Sequence, residues 1–166
     1  MNLSSPVPIT KEHDTASFDC GVAPLNEYLQ KYALLNHNNR AARTYVALRG
    51  ADIVGYYTLA NGSVSRDEVP PRVAKGLGRY PVPVTILARL AVASKEHGKG
   101  LGGGLLKDAL LRALQASELV GSRAVVTHAK DLTAKKFYER YQFEPSPLND
   151  FHLYVLMKDI RSVFED

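Results

Sequence analysis

Ile86-Leu87-Ala88-Arg89-Leu90-Ala91-Val92-Ala93-Ser94-Lys95-Glu96-His97-Gly98-Lys99-Gly100-Leu101-Gly102-Gly103-Gly104-Leu105-Leu106 reads as an apolar strand, a glycine-rich turn and the start of an amphipathic helix. A turn of this kind leaves backbone N–H groups unpaired at a helix N-terminus. Those donors, with the positive end of the helix dipole, suit a phosphate or pyrophosphate. Glycine removes the Cβ atoms that would block its approach. The stretch predicts a binding site for a phosphorylated cofactor.

The helix is supported by its own spacing. Leu101, Leu105, Ala109 and Ala113 recur every four residues, with Leu106, Leu110 and Leu114 beside them. Lys107, Asp108, Arg112 and Gln115 take the other face, and Gly121 is the stop signal beyond it.

Three loop types compete for the glycines. A Walker A loop requires Ser or Thr after its lysine, and Lys99 is followed by Gly100. A Rossmann fingerprint requires Gly-x-Gly-x-x-Gly with an acidic residue about twenty positions on. His97-Gly98-Lys99-Gly100-Leu101-Gly102 departs from that spacing, although Gly100 to Leu105 overlaps it weakly. The same six residues resemble the acyl-CoA loop of GNAT N-acetyltransferases, Gln/Arg-x-x-Gly-x-Gly/Ala, with His97 in the first position. Leu90-Ala91-Val92 is similar to that family's central strand.

The rest of the chain has a compatible order. Apolar positions Leu25, Tyr28, Leu29, Tyr32 and Ala33 predict a helix over 24–35, with Pro24 in its first turn. Residues 43–48 and 52–60 read as two strands joined at Arg49-Gly50-Ala51. Residues 63–83, with Pro70, Pro71, Gly76, Gly78, Pro81 and Pro83, read as a basic surface loop with room for one short helix. Strands follow at 85–92 and 124–129. Asp131 can cap a helix over 132–140, and a last strand covers 151–158. The order α, β, β, loop, β, α, β, α, β predicts a mixed α/β sheet. No repeat or linker divides it, so residues 1–166 are expected to form a single domain.

Composition excludes several classes. At 166 residues and 45% hydrophobic, the chain can bury a substantial core. No apolar run approaches the roughly twenty residues of a membrane span. Residues 1–11 lack a basic, then apolar, leader pattern. The single Cys20 excludes a disulfide framework, makes a reducing cytoplasm the expected compartment, and itself reads as a small buried apolar residue. His13, His37, His97, His128 and His152 show no metal-ligand spacing, so no metal is expected. The net charge of +4 permits an anionic partner without requiring one.

A second motif lies thirty-odd residues beyond the glycines. Ala134-Lys135-Lys136-Phe137-Tyr138-Glu139-Arg140-Tyr141-Gln142-Phe143 resembles the GNAT element Ala-x-x-Phe-Tyr-x-x-x-Gly-Phe, with Gln142 in place of glycine. Read without the resemblance, Phe137 and Tyr138 are core aromatics. The fold that the resemblance implies is a single-domain GNAT α/β sheet flanked by helices, with an acetyl-CoA cleft between two splayed central strands. It also implies that Leu90, Ala91 and Val92 pair with the pantetheine of acetyl-CoA. His97, Gly98, Lys99, Gly100, Leu101, Gly102 and Gly103 then hold the pyrophosphate, and Asp131 and Phe137 lie near the cofactor. Tyr138 protonates the departing CoA thiolate after direct attack by an amine in a ternary complex. A phenol is a sound donor to a thiolate of similar basicity.

The resemblance narrows further. Phe18-Asp19-Cys20, Leu25-Asn26-Glu27-Tyr28-Leu29, Gly55-Tyr56-Tyr57-Thr58-Leu59, Tyr80-Pro81-Val82-Pro83-Val84, Leu87 to Val92 and the tail Phe143-Glu144-Pro145-Ser146-Pro147 resemble the GNAT toxins of bacterial type II toxin–antitoxin systems. Those enzymes acetylate the α-amine of aminoacyl-tRNA and block translation. The resemblance implies a cytoplasmic toxin, a small DNA-binding antitoxin as partner, and a homodimer. Contacts to tRNA phosphates are expected from Arg40, Arg43, Arg72, Lys75, Arg79 and Arg89, with Lys135, Lys136 and Arg140 as further cations. Arg89 stands in an apolar strand and needs a partner, most simply a carboxylate. A housekeeping acetyltransferase for a small amine or a protein N-terminus, and a non-catalytic CoA-binding module, are the competing functions.

Overall fold

The computed structural model describes residues 2–164; Met1, Glu165 and Asp166 of the predicted 1–166 span lie outside the described residues. The elements are β1 (Val7–Pro8), α1 (Ala23–Glu27), α2 (Ala33–Asn38), β2 (Arg43–Arg49), β3 (Asp52–Val64), α3 (Pro71–Ala74), β4 (Val82–Val92), α4 (Leu101–Ser117), β5 (Ala124–His128), α5 (Leu132–Glu139), β6 (Glu144–Pro145), β7 (His152–Leu156) and α6 (Ile160–Val163). The strands make a seven-stranded sheet in the order β1-β2-β3-β4-β5-β7-β6. Pairing is mixed: β4 and β5 run parallel, while β1 with β2, β2 with β3, β5 with β7 and β6 with β7 are antiparallel.

Several elements differ from their sequence-predicted bounds. The first helix is one helical stretch from Ala23 to Asn38, interrupted by a π-helical turn at Tyr28–Tyr32. The 3.6-residue pattern cannot show such a turn. β3 continues to Val64 through Asn61, Gly62 and Ser63, residues that composition assigns to a turn. The expected surface loop therefore begins only after Val64, and α3 is its short helix. The two-residue strands β1 and β6 are too short to leave a period.

The chain packs as two compact units: residues up to Ala60 with Ala88–Ala109, and Asn61–Leu87 with residues from Leu110. In the first unit, Phe18, Tyr28, Leu29, Val46, Ile53, Tyr56 and Ala91 share one apolar cluster. Tyr56 meets Phe18 edge-on at 5.5 Å and donates to the Leu25 carbonyl at 2.6 Å, so its hydroxyl is satisfied as the ring is buried. Cys20 belongs to this cluster, as its apolar reading expects. In the second unit, Val73, Val82, Val84, Val126, Tyr154 and Leu156 form the corresponding cluster. Arg123 donates to the Val73 and Lys75 carbonyls there, at 2.8 and 3.0 Å, and ties down the segment that carries α3. The α4 stripe is buried as predicted, with Leu105, Leu106, Ala109, Leu110 and Ala113 each 1% exposed or less.

His37 does structural work in the first unit. Its Nδ1 accepts the Thr44 N–H at 3.0 Å, on the side where the Thr44 carbonyl receives Ile9 N–H. The Thr44 and Thr58 hydroxyls meet across β2 and β3 at 2.7 Å. Burial, then the nearby Arg43 charge, pushes the imidazole below its ordinary value of 6.5. The unfolded chain therefore takes up this proton before the folded chain does. Stability from this group is complete above about pH 6.5 and falls as the pH drops below it. Wild-type Tm is expected to decline between pH 7.5 and 5.5. In His37→Asn, whose amide oxygen also accepts from Thr44, that decline should be shallower in paired thermal melts.

Candidate active site

The glycine loop is built at the end of β4 in the first unit. Ala93 N–H donates to the Val54 carbonyl at 2.8 Å and Ser94 N–H to the Asp19 carbonyl at 2.9 Å, which fixes where the chain leaves the strand. A short 3₁₀ turn at Ser94–Glu96 follows. Glu96 is buried, and Arg49 from β2 grips its carboxylate with two contacts, of 3.2 and 2.8 Å. The Arg49 hydrogen bond holds the Glu96 carboxyl below its usual range. The clamp secures the base of the loop.

Gly98 and Gly100 have φ of +81° and +80°, a region that L side chains rarely adopt. A Cβ at either position would meet nothing within 4 Å, so the surface above both is open. The first helical bond runs from Gly104 N–H to the Gly100 carbonyl. The N–H groups of Leu101, Gly102 and Gly103 therefore precede the helical ladder and are available as donors. The Leu101 side chain is buried, so it offers only its backbone. Open glycines beneath a row of N–H groups fit a pyrophosphate.

His97 turns back onto the strand. Its Nε2 donates to the Val92 carbonyl at 2.8 Å, because a carbonyl can only accept. The side chain thus closes the loop it introduces, and one of the groups expected to face pantetheine already carries a bond. Leu90 and Val92 are half-buried and Ala91 is buried, while Lys99 is exposed and stands 3.9 Å from Glu96.

Tyr138 is placed by the second unit. Asp131 caps α5 as predicted, its carboxylate accepting Ala134 N–H at 2.8 Å. At the other end Gln142 adopts φ +68°, where the GNAT element has glycine. Gln142 N–H reaches the Glu139 carbonyl and Phe143 N–H reaches the Tyr138 carbonyl, at 3.1 and 3.4 Å. The Tyr138 and Phe143 rings lie 5.4 Å apart. These bonds and the apolar contact constitute a Schellman cap, and the cap fixes Tyr138 from behind. Gln142→Gly is expected to raise Tm by roughly 1–4 °C, because relief of the left-handed strain outweighs the added chain entropy. Differential scanning calorimetry checks it.

Tyr138 is buried, and desolvation pushes its phenol above the ordinary value of 10 while a hydrogen bond with Thr127 pulls the other way. The phenol therefore keeps its proton at neutral pH. Phe137 is partly exposed and packs against Tyr138 and Tyr141 at 5.1 and 5.4 Å.

The expected tRNA contacts divide between the units. In the first, Arg40 and Arg43 are exposed near the end of α2, with Arg43 donating to the His37 carbonyl at 2.9 Å. Arg89 lies 3.7 Å over the Tyr28 ring, so its partner is an aromatic face rather than the expected carboxylate. In the second unit, Lys75 and Arg79 are exposed. Arg72 bridges Glu144 and Asp159 at 2.9 and 2.8 Å, so much of its charge is already engaged. The cations Lys135 and Arg140 lie 5.7 Å over Phe151 and 5.6 Å over Phe137.

Sequence reasoning missed three contributors. Thr127 is the hydroxyl that follows the apolar run Ala124-Val125-Val126 on β5, a signal that was present. The Arg49–Glu96 clamp joins residues 47 apart and leaves no local pattern. The π-turn presents Tyr28 to Arg89 and is invisible to periodicity. Among the described residues, no cluster of three or more His, Cys, Asp or Glu side chains could hold a metal ion.

Comparison with known proteins matches this arrangement. The family described as an acetyltransferase (GNAT) domain matches residues 40–145. A tRNA-acetylating toxin of Mycobacterium tuberculosis is 44% identical over 163 residues, covering 98% of each chain. The solved structure of AtaT complexed with acetyl-methionyl-tRNAfMet superposes with a TM-score of 0.90 at 27% identity, covering 99% of this chain and 100% of that one. A tyrosine-to-phenylalanine mutant of AtaT, bound to the C-terminus of the antitoxin AtaR and acetyl-CoA, gives 0.83 at 28% identity, with 99% of each chain covered. With its glycine loop, its capped tyrosine helix and a full-length relative at this identity, the chain belongs to the GNAT acetyltransferase family.

Proposed function

We propose that this protein transfers the acetyl group of acetyl-CoA to the α-amine of aminoacyl-tRNA, and so acts as the toxin of a toxin–antitoxin pair. The observation that carries the acceptor is the full-length likeness to the tRNA-acetylating toxin. The donor is supported by the open glycine surface at Gly98 and Gly100. A DNA-binding antitoxin is the partner this reading requires, and the structure of AtaT with AtaR bound to DNA, at a TM-score of 0.78, supports it. Work on charged tRNA places the enzyme in the cytoplasm. No helix among the described residues is long and apolar enough to cross a membrane. A homodimer is part of the same reading.

Acetyl-CoA supplies an activated acyl group and a thiolate leaving group. The N–H groups of Gly98 to Gly103 hold the pyrophosphate, and the backbone of Leu90 to Val92 pairs with the pantetheine amides. Asp131 sets the start of α5 and Phe137 packs beside Tyr138, near the pantetheine. Tyr138 holds a proton at Oη and gives it to the departing sulfur. The ester beside the acceptor's α-amine lowers that amine's basicity, so it attacks as the free base without a dedicated general base. No covalent enzyme intermediate is needed. Arg89, held flat by Tyr28, with Arg40, Arg43, Arg72, Lys75 and Arg79, contributes positive charge for the tRNA backbone.

The test is transfer of labelled acetyl from acetyl-CoA to charged tRNA, beside uncharged tRNA, polyamines and peptides. Label on the aminoacyl group alone supports the reading. Label on polyamines or peptides, with none on charged tRNA, overturns it in favour of a housekeeping acetyltransferase. Binding of CoA without transfer to any acceptor leaves a regulatory module.

A further inference from the structure

Arg89 is a partly exposed cation in β4, directly before Leu90-Ala91-Val92. Successive strand residues point to opposite faces, so Arg89 shares its face with Ala91, which packs in the cluster that holds Tyr28. The Arg89 Cζ lies 3.7 Å from the centre of the Tyr28 ring. An edge-on guanidinium would drive a nitrogen into the ring at that distance, so the two planes lie flat on one another. The ring is itself held: Tyr56 lies 6.5 Å away and 15° from parallel, and Asn36 Nδ2 donates to the Tyr28 hydroxyl at 3.4 Å. Among the described residues no carboxylate or carbonyl accepts a hydrogen bond from Arg89. Tyr28 covers one face of the guanidinium, so the exposure that Arg89 keeps belongs to its other face and its edges.

We propose that Arg89, braced by Tyr28, is the stacking platform for the adenine of the acceptor's 3′-terminal nucleotide. The inference rests on the aminoacyl-tRNA reading above. With the pyrophosphate at Gly98 to Gly103, pantetheine runs back along β4 from Val92 to Leu90, and the thioester arrives at the Arg89 end of that segment. The α-amine must come within about 3–3.5 Å of the thioester carbon. A single ester joins the aminoacyl group to the terminal ribose, so the terminal adenosine is the nucleoside nearest the reaction. That end of a tRNA is single-stranded, and unpaired bases are held by stacking on aromatic rings or guanidinium planes. A guanidinium already flat on a ring has little freedom left to lose when a base lands on it. The aromatic partner suits this use better than the expected carboxylate. A carboxylate would occupy the N–H fork in its own plane and set a negative charge beside RNA. The Arg89 charge favours nearby phosphates as well, but the plane is what a lysine cannot reproduce.

The experiment uses two small acceptors built on the amino acid that wild type acetylates fastest on charged tRNA. One is its amide with 3′-amino-3′-deoxyadenosine, and the other is its N-methylamide; neither carries a phosphate. Wild type is expected to prefer the nucleoside amide in kcat/KM. Arg89→Lys, which keeps the charge and loses the plane, should cut that preference by roughly 5–150-fold, with the change in KM. The ratio cancels any loss common to both acceptors. Tyr28→Leu should cut it as well, and the double variant no further. Should Tyr28→Leu melt early, Arg89→Lys decides alone. No preference in wild type, or a preference that survives Arg89→Lys, overturns the proposal. A loss in Arg89→Lys on charged tRNA, with none on the nucleoside amide, also overturns it and leaves Arg89 as a phosphate contact. Failure of wild type to acetylate any charged tRNA overturns the acceptor assignment itself.

Discussion

Tyr138→Phe is expected to lower kcat for acetyl transfer by roughly 10²–10⁴-fold, the span of a lost general acid. The KM for acetyl-CoA should stay near wild type, because the pyrophosphate donors belong to a separate segment of chain. The ring contacts with Phe137 and Phe143 survive the substitution, as does the Schellman cap, which uses backbone groups. Only Oη is removed. Burial holds the phenol above its ordinary value, so wild-type activity should show no loss from tyrosine ionisation up to at least pH 9. A kcat within threefold of wild type, measured with labelled acetyl-CoA and charged tRNA, would remove Tyr138 from the chemistry and leave it as a core aromatic.

Gly100→Val should act on the other half of the reaction. The substitution places a β-branched residue at φ +80° and fills the space above the loop that is open in the native chain. Left-handed strain of about 1–2 kcal/mol and the loss of charge-assisted donors of about 1.5–3 kcal/mol together predict an affinity for CoA weaker by roughly 10²–10⁴-fold. Calorimetric titration with CoA reads this directly. At saturating acetyl-CoA the variant's kcat should approach wild type. An affinity within threefold of the native value would show that this loop does not hold the cofactor.

What the sequence made legible was what local pattern encodes. The four-residue recurrence from Leu101 to Ala113 marked α4 because one buried face imposes it. The glycines marked the turn because only a special backbone needs so many of them. Asp131 marked a helix start through the chemistry of its own side chain. Tyr138 became visible through its neighbours, Phe137 and Phe143, and through its order after the glycine loop. Other features depend on partners distant in the chain. The continuation of β3 through Asn61 to Ser63 is decided by strand pairing, which overrides turn propensity. Arg89 was recognisable as a cation needing a partner, but Tyr28 reaches it only through a π-turn. Gln142 was seen as a departure from the glycine of the motif. Its positive φ shows that the turn kept its shape and the side chain accepted the strain.

Gly102, Gly103 and Gly104 occupy the first turn of α4, and the helix carries no acidic residue there. Each glycine holds a helical conformation about 1 kcal/mol less well than alanine would. The remainder of α4 is anchored by leucines, so opening should begin in this first turn and stop where Leu105 and Leu106 enter the core. Amide exchange should therefore be fastest over residues 102–104 in the free enzyme and slow sharply when CoA is added, while residues 109–113 exchange only with global unfolding. Part of the cofactor's binding energy goes into ordering that turn, so the free protein samples a frayed state and the loaded protein does not.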